Sequence, residues 1–333
     1  MTVFRPRSGL EGEIGEIWTE LLGHGEFGTN ESFFRVGGTS FAAVRLLAEL
    51  KRRFGYDIPL SELVHDATVA GIGMMLRGSA TTRPGVLVPL NPRGGRPPLF
   101  CFHPVSGNVI RYFGLAKALG EEQPVHGLQS IGLCEPARAQ DDIADMAALY
   151  TEEILRVRPT GPYRLIGYSM GGLIAHSVAG LLHRRTGEYP VVVLIDSDVR
   201  DLDGTDPDAV VAISVLKERV DGSVLRGLDR ASAVRVLHRM GVERGIFDAA
   251  FPMERLEAIH DTIRANALSM RGHTPGPYAG PLTVFSCERP SDLGWAPYGG
   301  ELTRHVLPGN HYVAMEPEGT ARIAAALADQ LTA

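Results

Sequence analysis

Apolar residues recur at helical spacing through the first 78 residues of the chain. The first apolar stripe consists of Leu10, Ile14, Ile17, Trp18 and Leu21. A second stripe predicts a helix over Ser40–Phe54 that ends at Gly55, and a short element should lie around Ser61–Val64. Thr68 is a suitable N-cap for a last helix over Val69–Leu76. Helices without a strand over this length predict a small all-α bundle.

The pattern changes at about Val86, where short apolar runs begin to alternate with helical stretches. The predicted strands are Val86–Leu90, Leu99–His103, Val125–Leu128, Tyr163–Gly167, Val191–Ile195, Leu282–Cys287 and Leu302–Leu307. The predicted helices include Ile143–Arg156, Gly172–Arg185 and Gly319–Leu331. Strands that are apolar at nearly every position are typical of a mostly parallel sheet covered by helices on both faces. The second part of the chain is therefore predicted to be an α/β domain.

Two segments interrupt these patterns and suggest how the chain is divided. Gly78–Gly85 is small, polar and rich in Pro and Gly, as linkers are. Residues 198–280 are helical in pattern without a clear strand, and an insertion of that size is typical of a lid. The predicted lid helices are Val211–Val220, Arg230–Met240 and Met253–Leu268. We predict a helical domain over residues 8–78, a linker over 79–85 and an α/β domain over 86–333.

Composition narrows the class of protein. The 333 residues carry a formal net charge of −6 and are 44% hydrophobic, so the chain can bury the cores of two domains. No cluster of Lys and Arg is interleaved with aromatic residues, which argues against nucleic acid as a partner. No apolar run is long enough to span a bilayer, no secretory h-region is recognisable, and the three cysteines lack metal or disulfide spacing. We therefore expect a cytoplasmic protein that binds no metal and no membrane. The sequence leaves the oligomeric state open, with a monomer as the default expectation.

The sharpest motif is Gly167-Tyr168-Ser169-Met170-Gly171, which directly follows a predicted strand and opens a predicted helix. That is the context of a nucleophile elbow, in which a tight turn raises the serine hydroxyl above the sheet. Glycines on both sides of the serine let the strand and the helix pack close to the turn. The alternative is an ordinary tight turn, but the context favours Ser169 as a nucleophile.

A nucleophilic serine needs a base and an acid that orients the base. In this type of sheet the order along the chain should be serine, acid, histidine. Asp196 ends an apolar strand, so it should lie at the same sheet edge as Ser169. His311 follows the last strand on the loop Gly309-Asn310-His311, which favours it as the base.

Two other carboxylates compete with Asp196 for the role of the acid. Asp292 is the main rival, because it follows the strand that ends at Cys287, where many hydrolases of this architecture keep their acid. Asp198 is a weaker rival. Asp196 itself could instead be a helix N-cap or a solvated loop acid.

Two backbone N–H groups are the expected donors to the oxyanion. The first belongs to Met170, directly after the nucleophile. The second should come from the loop after the predicted strand Leu99–His103, where we expect the N–H of Val105 to be the donor. His103, at the end of that strand, is expected to be structural, because a base is already assigned.

Ser40 has two interpretations. Phe33-Phe34-Arg35-Val36-Gly37-Gly38-Thr39-Ser40-Phe41 could be a glycine turn that leads to a serine N-cap. The start of a helix also favours a phosphate, because backbone N–H groups and the helix dipole point towards it. A phosphodiester on Ser40 would therefore be well placed.

These motifs together carry a resemblance to a known family. Residues 8–78 resemble a peptidyl carrier (thiolation) domain of nonribosomal peptide synthetases, with FFRVGGTSFAAVRLL at 33–47 as its mark. Residues 86–333 resemble the type I thioesterase domain that follows such a carrier. Its marks are PPLFCFHPVSG (97–107), GYSMGG (167–172), LIDS (194–197) and GNHY (309–312). The resemblance implies a small all-α carrier bundle followed by an α/β-hydrolase fold with a helical lid insertion.

The resemblance also implies a function. Ser40 would carry a 4′-phosphopantetheine arm, attached by a phosphopantetheinyl transferase, and the arm would hold the peptide as a thioester delivered by upstream condensation and adenylation modules. Ser169 would accept the acyl chain, and water or a nucleophile of the same chain would release an acid or a ring. The family's acid supports Asp196 over Asp292. Its oxyanion donors correspond to Val105 and Met170.

The chain departs from the family pattern at two places. Thr39 stands before the carrier serine, where His or Asp is usual. Val105-Ser106-Gly107 follows His103-Pro104, where Ala-Gly-Gly is usual, and the bulkier residues could alter water access near the oxyanion.

Two other functions remain open from the sequence. The first is a free-standing serine esterase or lipase that uses Ser169 and has a helical N-terminal extension in which Ser40 has no function. The second is a binding module that keeps the fold without catalysis.

Overall fold

The computed structural model describes residues 9–38, 40–56, 58, 60–77, 85–216, 220–247, 249 and 251–332. Thr39 and most of the predicted linker, residues 78–84, lie outside the described residues. The chain divides into two compact units, Met1–Gly85 with Asp229–Glu257 and Val86–Leu228 with Ala258–Ala333.

The N-terminal part of the first unit is helical, as predicted. Its helices are α1 (Leu10–Leu22), α2 (Ser40–Phe54), α3 (Leu60–His65) and α4 (Val69–Leu76). Trp18 is fully buried at its centre, with its ring centroid 5.2 Å from that of Phe27 and 5.0 Å from that of Phe33. Thr68 caps α4, because its hydroxyl accepts a hydrogen bond of 2.8 Å from the Gly71 N–H.

The second unit is built on a twisted sheet whose strands were all predicted to within about two residues. The strands are β1 (Leu87–Asn91), β2 (Leu99–Phe102), β3 (Val125–Leu128), β4 (Arg164–Tyr168), β5 (Val191–Ile195), β6 (Leu282–Cys287) and β7 (Leu302–Leu307). Within the described part of the chain they form one seven-stranded sheet in the order β1-β3-β2-β4-β5-β6-β7. β1 pairs with β3 antiparallel, and the other pairs are parallel.

The register of the central strands aligns their carboxyl ends. Tyr168, the last residue of β4, pairs with Ile195, the last residue of β5. Ile195 in turn pairs with Phe285 of β6. Residues that directly follow β4 and β5 therefore emerge side by side at one edge of the sheet, where ligands bind in open α/β sheets.

Helices flank the sheet, and the short helices directly before and after β3 were not predicted. The helices between the strands up to β5 are α5 (Tyr112–Leu119), α6 (Ile131–Cys134), α7 (Ile143–Val157) and α8 (Met170–Thr186). The prediction missed α5, which has Gly114 in its interior and no capping hydrogen bond from the side chain of Arg111. Both features weaken the sequence signal of a helix.

The segment between β5 and β6 contains α9 (Pro207–Leu216), α10 (Arg230–Glu243) and α11 (Met253–Met270), and the C-terminal helix is α12 (Pro317–Thr332). The predicted start of the first lid helix at Val211 was four residues too late. Asp206 accepts hydrogen bonds from the N–H groups of Asp208 and Ala209, so the helix begins at Pro207. α10 and the first residues of α11 belong to the first unit, where the Arg255 guanidinium donates to the carbonyl of Ile58.

Candidate active site

Ser169 lies on a strained turn between β4 and α8. Its backbone has φ 57° and ψ −130°, a conformation that a serine rarely adopts. The Ser169 N–H donates to the carbonyl of Ile195 at 2.9 Å, which ties the turn to the neighbouring strand. α8 begins at the next residue, as a nucleophile elbow requires.

The glycines around Ser169 are needed because other atoms of the fold pass close to each. A Cβ on Gly167 would clash with the carbonyl of Gly171. A Cβ on Gly171 would clash with the carbonyl of Phe102, and one on Gly172 would clash with the Ser197 side chain. The elbow thus packs against β2 and against the end of β5 at distances that exclude any side chain.

The loop that carries His311 is held on three sides. Gly309 has φ 74°, which lets the chain turn after β7. Asn310 accepts a 3.0 Å hydrogen bond from the Tyr312 N–H and so caps the short turn that His311 begins. The Tyr168 hydroxyl donates to the His311 carbonyl at 2.7 Å, and the two rings stack with centroids 4.9 Å apart.

Asp196 and His311 are joined directly. The His311 Nδ1 lies 2.8 Å from Asp196 Oδ2, and the Asp196 side chain is 15% exposed. A carboxylate can only accept, so Nδ1 carries the hydrogen and Nε2 is left as the acceptor of the neutral ring. This is the tautomer that a general base needs.

The other Asp196 oxygen is bound by Cys287, which the sequence analysis did not assign to the site. The Cys287 N–H donates to Asp196 Oδ1 at 3.0 Å, and its thiol also contacts the carboxylate. Burial alone would raise the pKa of Asp196, but the hydrogen bonds from His311 and Cys287 hold that pKa below its usual value. Burial and the nearby Asp196 charge raise the pKa of the Cys287 thiol to about 12. The carboxylate is therefore ionised and the thiol protonated at neutral pH.

The two rival acids, Asp292 and Asp198, form hydrogen bonds with other groups. Asp292 accepts a hydrogen bond of 3.1 Å from the Gly294 N–H within its own loop. Asp198 pairs with Arg200, whose Nε lies 2.9 Å from Asp198 Oδ1. Of these three carboxylates, Asp196 is the one that contacts His311.

A cavity of about 260 Å³ opens at Ser169. Its polar lining consists of Ser169, Asp196, Asp198, Thr205 and His311, and its apolar lining of Met170, Leu173, Leu202, Met270 and Leu293. The three predicted triad residues therefore share one cavity, and the apolar side chains around them suit an acyl chain.

The turn after β2 fixes the direction of the Val105 N–H. The Pro104 carbonyl accepts from the Gly107 N–H and lies near His103 Nδ1, both at 2.9 Å. Because a trans peptide is planar, the Val105 N–H points away from that carbonyl. His103 is fully buried, and burial lowers its pKa to about 4, so its ring is neutral at pH 7. Its position agrees with the structural role expected for it.

Ser40 is the first residue of α2. The first N–H groups of a helix have no acceptor within the helix, so a phosphate attached at this position can accept hydrogen bonds from them. The first turn of α2 has no acidic residue that would repel such a group. The position therefore fits a phosphodiester.

Metal sites and membrane-spanning helices are both absent from the described residues. That part of the chain contains no group of three or more His, Cys, Asp and Glu side chains able to hold a metal ion. Nor does any helix in it have the length and apolar character needed to cross a bilayer.

Family models match both parts of the chain. The thioesterase domain model matches residues 97–331, and the phosphopantetheine attachment site model matches residues 13–75. Domains of the second family carry 4′-phosphopantetheine on a serine.

Similar proteins align with nearly the whole of this chain. Malpibaldin synthetase of Mortierella alpina is 31% identical over 98% of this chain, and a dimodular nonribosomal peptide synthase of Bacillus subtilis (strain 168) is 29% identical over 98%. This chain spans 6% and 14% of those two relatives. A solved four-domain nonribosomal peptide synthetase, bound to AMP and glycine, matches with a TM-score of 0.68 and 25% identity, over 99% of this chain and 26% of that one.

The geometry of the elbow, the matched family models and the order of the two parts agree with one another. The chain therefore belongs to the thioesterase domain family and carries, ahead of that domain, a phosphopantetheine-attachment domain of the kind found in nonribosomal peptide synthetases.

Proposed function

We propose that this chain transfers an acyl or peptidyl group from a thioester on its carrier domain to Ser169 and then releases it. The observation that carries the proposal is the 2.8 Å hydrogen bond between Asp196 and His311 at the cavity that also contains Ser169. A serine with an oriented histidine at a tight elbow is the arrangement that acyl transfer requires.

The chemistry follows from the roles of three side chains. His311 Nε2 takes the proton of Ser169 as the serine oxygen attacks the thioester carbonyl carbon. Asp196 holds the Nδ1–H and stabilises the imidazolium that forms. When the tetrahedral intermediate collapses, the carbon–sulfur bond breaks and His311 returns the proton to the departing sulfur. A water molecule, or an amine or hydroxyl of the acyl chain, then attacks the Ser169 ester and gives its proton to His311. His311 returns this proton to the Ser169 oxygen as the ester bond breaks.

The N–H groups of Val105 and Met170 are the proposed donors to the oxyanion. Met170 begins α8, so its N–H has no acceptor within the helix and lies at the positive end of the helix dipole. Loss of one such donor typically slows turnover by about 100- to 1,000-fold.

Ser40 is the proposed attachment point of 4′-phosphopantetheine. When bound, this group supplies a thiol on which the acyl chain is carried as a thioester. Ser40 lies at the start of α2, where the helix dipole favours a phosphate, and the first turn of the helix has no carboxylate that would compete with one.

The partners proposed for the whole protein follow from this role. A phosphopantetheinyl transferase would modify Ser40, and upstream condensation and adenylation modules would supply a peptidyl thioester. We propose a monomer that works in the cytoplasm. The apolar lining of the cavity favours an acyl chain with apolar side chains near its carbonyl.

A soluble pantetheine thioester of an apolar acyl-dipeptide tests the proposal. We expect the protein to hydrolyse it, and Ser169→Ala to reduce the rate by about 1,000-fold or more, because the nucleophile is lost. A fluorophosphonate probe should label the wild-type protein at Ser169 and should leave Ser169→Ala unlabelled.

The outcome that contradicts the proposal is a wild-type protein that neither turns over thioesters nor reacts with the probe. That result would favour a binding module which keeps the fold. The melting temperature of Ser169→Ala serves as the control for correct folding.

A further inference from the structure

One face of α11 connects the cavity to the turn that carries Val105. Thr262, Asn266 and Met270 are spaced four residues apart, so they lie along the same side of the helix. Met270 lines the cavity at Ser169. At the other end, the Thr262 methyl lies against Gly107 of the turn, where an added Cβ would approach it to 3.0 Å.

Asn266 lies between these two contacts and is fully buried. Its Nδ2 donates to the carbonyl of Val105 at 2.9 Å. A carbonyl oxygen can only accept, so this contact fixes the orientation of the Asn266 amide. The helix thereby holds the peptide that follows Val105.

The buried amide of Asn266 is only half satisfied. Among the described residues, Asn266 Oδ1 has no hydrogen-bond partner. Burial of an unpaired polar atom destabilises a fold, and an apolar side chain of similar shape would remove that unpaired atom. An asparagine at this position therefore points to a role for the one bond that its Nδ2 does make.

Both peptides that flank Val105 are held by different groups. The peptide before it is fixed by Gly107 and His103 through the Pro104 carbonyl. The peptide after it is fixed by Asn266. We propose that Asn266 is a positioning residue, which acts from the lid helix to keep the Val105 N–H directed at the thioester oxygen; this inference rests on the proposed function.

The consequence is that substrate turnover depends on α11 as well as on the triad. A donor that is free to rotate stabilises the oxyanion less than a preorganised one, while binding of the acyl chain in the cavity is unaffected. Loss of the Asn266 bond should therefore lower kcat and leave KM nearly unchanged.

Two variants test this with the soluble pantetheine thioester. Asn266→Leu keeps the shape of the side chain and removes the donor, and Asn266→Ala removes the donor without any possibility of overpacking. We expect kcat to fall by about 10- to 100-fold in both, somewhat less than for outright loss of an oxyanion donor, with KM within about twofold of the wild-type value. The matched control is Ser269→Ala, which deletes a buried 2.7 Å hydrogen bond from the Ser269 hydroxyl to the Asn266 carbonyl in the same helix, without touching Val105.

A kcat within twofold of the wild-type value in either Asn266 variant would overturn the inference, as would an equal loss of kcat in Ser269→Ala. A rise in KM at unchanged kcat would also overturn it. Failure of the proposed function gives a different result, because the wild-type protein itself would then hydrolyse no thioester. The inference about Asn266 would be overturned together with it.

Discussion

The two oxygens of Asp196 have separate partners, and this division sets the chemistry of the site. Oδ2 accepts from His311, while Oδ1 accepts from the Cys287 N–H. Asp196 itself has φ 43°, an unusual value that places its carboxylate between the two. With one oxygen fixed to the backbone of β6, the carboxylate cannot rotate away from the imidazole.

An exchange of acid for amide at Asp196 and Asp292 tests which residue orients the base. Asp196→Asn should lower kcat by about 10,000-fold, because an amide at this position favours the wrong histidine tautomer. Asp292→Asn should stay within about threefold of wild type, since an asparagine can still accept from the Gly294 N–H. The measurement is steady-state hydrolysis of the soluble thioester. The opposite ranking of the two variants would transfer the role of the acid to Asp292.

At the residue scale, the sequence was enough to single out the candidate site residues but not the backbone groups that hold them in place. Ser169 and His311 stand in motifs, and the order along the chain placed Asp196. Cys287 was missed because it acts mainly through its N–H, and every residue except proline has one. The pairing of β5 with β6 brings it to Asp196, and residue type alone does not predict that register.

At the scale of elements, close backbone contact between β2, β4 and α8 builds the elbow. The Tyr112 hydroxyl donates to the Phe102 carbonyl and accepts from the Tyr168 N–H, both at 2.7 Å, and so joins the ends of β2 and β4. Gly171 lies where α8 meets the end of β2. Added side-chain volume at the elbow should therefore destabilise the fold as it does in a buried core.

Gly171 and Gly180, both in α8, give a matched pair of variants that tests how tightly the elbow is packed. Gly171→Ala should lower the free energy of unfolding by about 1–3 kcal/mol, because the new Cβ would meet the Phe102 carbonyl and the backbone must shift. Gly180→Ala should raise it by up to about 1 kcal/mol, since the nearest atom is the flexible end of Arg184 at 3.4 Å and alanine favours helix. Urea denaturation of both variants measures the difference. Equal stability of the two would show that the packing at the elbow is not tight.

Capping residues predicted the start of one helix correctly, and a second capping signal was missed. Thr68 marked the start of α4 correctly. The Asp206-Pro207 pair is an equally clear start signal for α9, yet the prediction followed the apolar stripe that begins at Val211 and so began too late. α5 offered no such signal at its first residue.

For the whole molecule, the alternation of strands and helices was enough to predict the fold class. The change of pattern near Val86 separated the helical part from the α/β part, as the two family models also do. The association of Asp229–Glu257 with the first unit could not be predicted, because it depends on contacts between segments far apart in the chain. Arg255 of α11, which donates to Ile58, is one such contact.

For the whole molecule, we predict that Ser40 and Ser169 have separate roles: Ser40 carries the prosthetic arm, and Ser169 releases the acyl chain. Incubation with coenzyme A and a phosphopantetheinyl transferase should add one phosphopantetheine to the wild-type protein and to Ser169→Ala. Ser40→Ala should show no such gain, yet should hydrolyse the soluble thioester at nearly the wild-type rate, because the arm is not needed to deliver it. Intact-protein mass spectrometry and the hydrolysis assay give both readouts.

Equal loss of soluble-thioester hydrolysis in Ser40→Ala and Ser169→Ala would contradict this division. Absence of any mass gain in the wild-type protein would instead favour a free-standing esterase with a helical extension.

The pairing of Tyr168 with Ile195 has a consequence for engineering. Since the proposed nucleophile Ser169 and the proposed acid Asp196 each lie one residue beyond a matched pair of neighbouring strands, the register of the sheet sets the spacing of their backbones. The helices between β5 and β6 lie outside that pair of strands. They could be exchanged for those of a related thioesterase domain to alter which acyl chains are released, while Ser169 and Asp196 keep their places. Such a chimera would succeed only if the incoming segment also supplied an amide donor where Asn266 now stands.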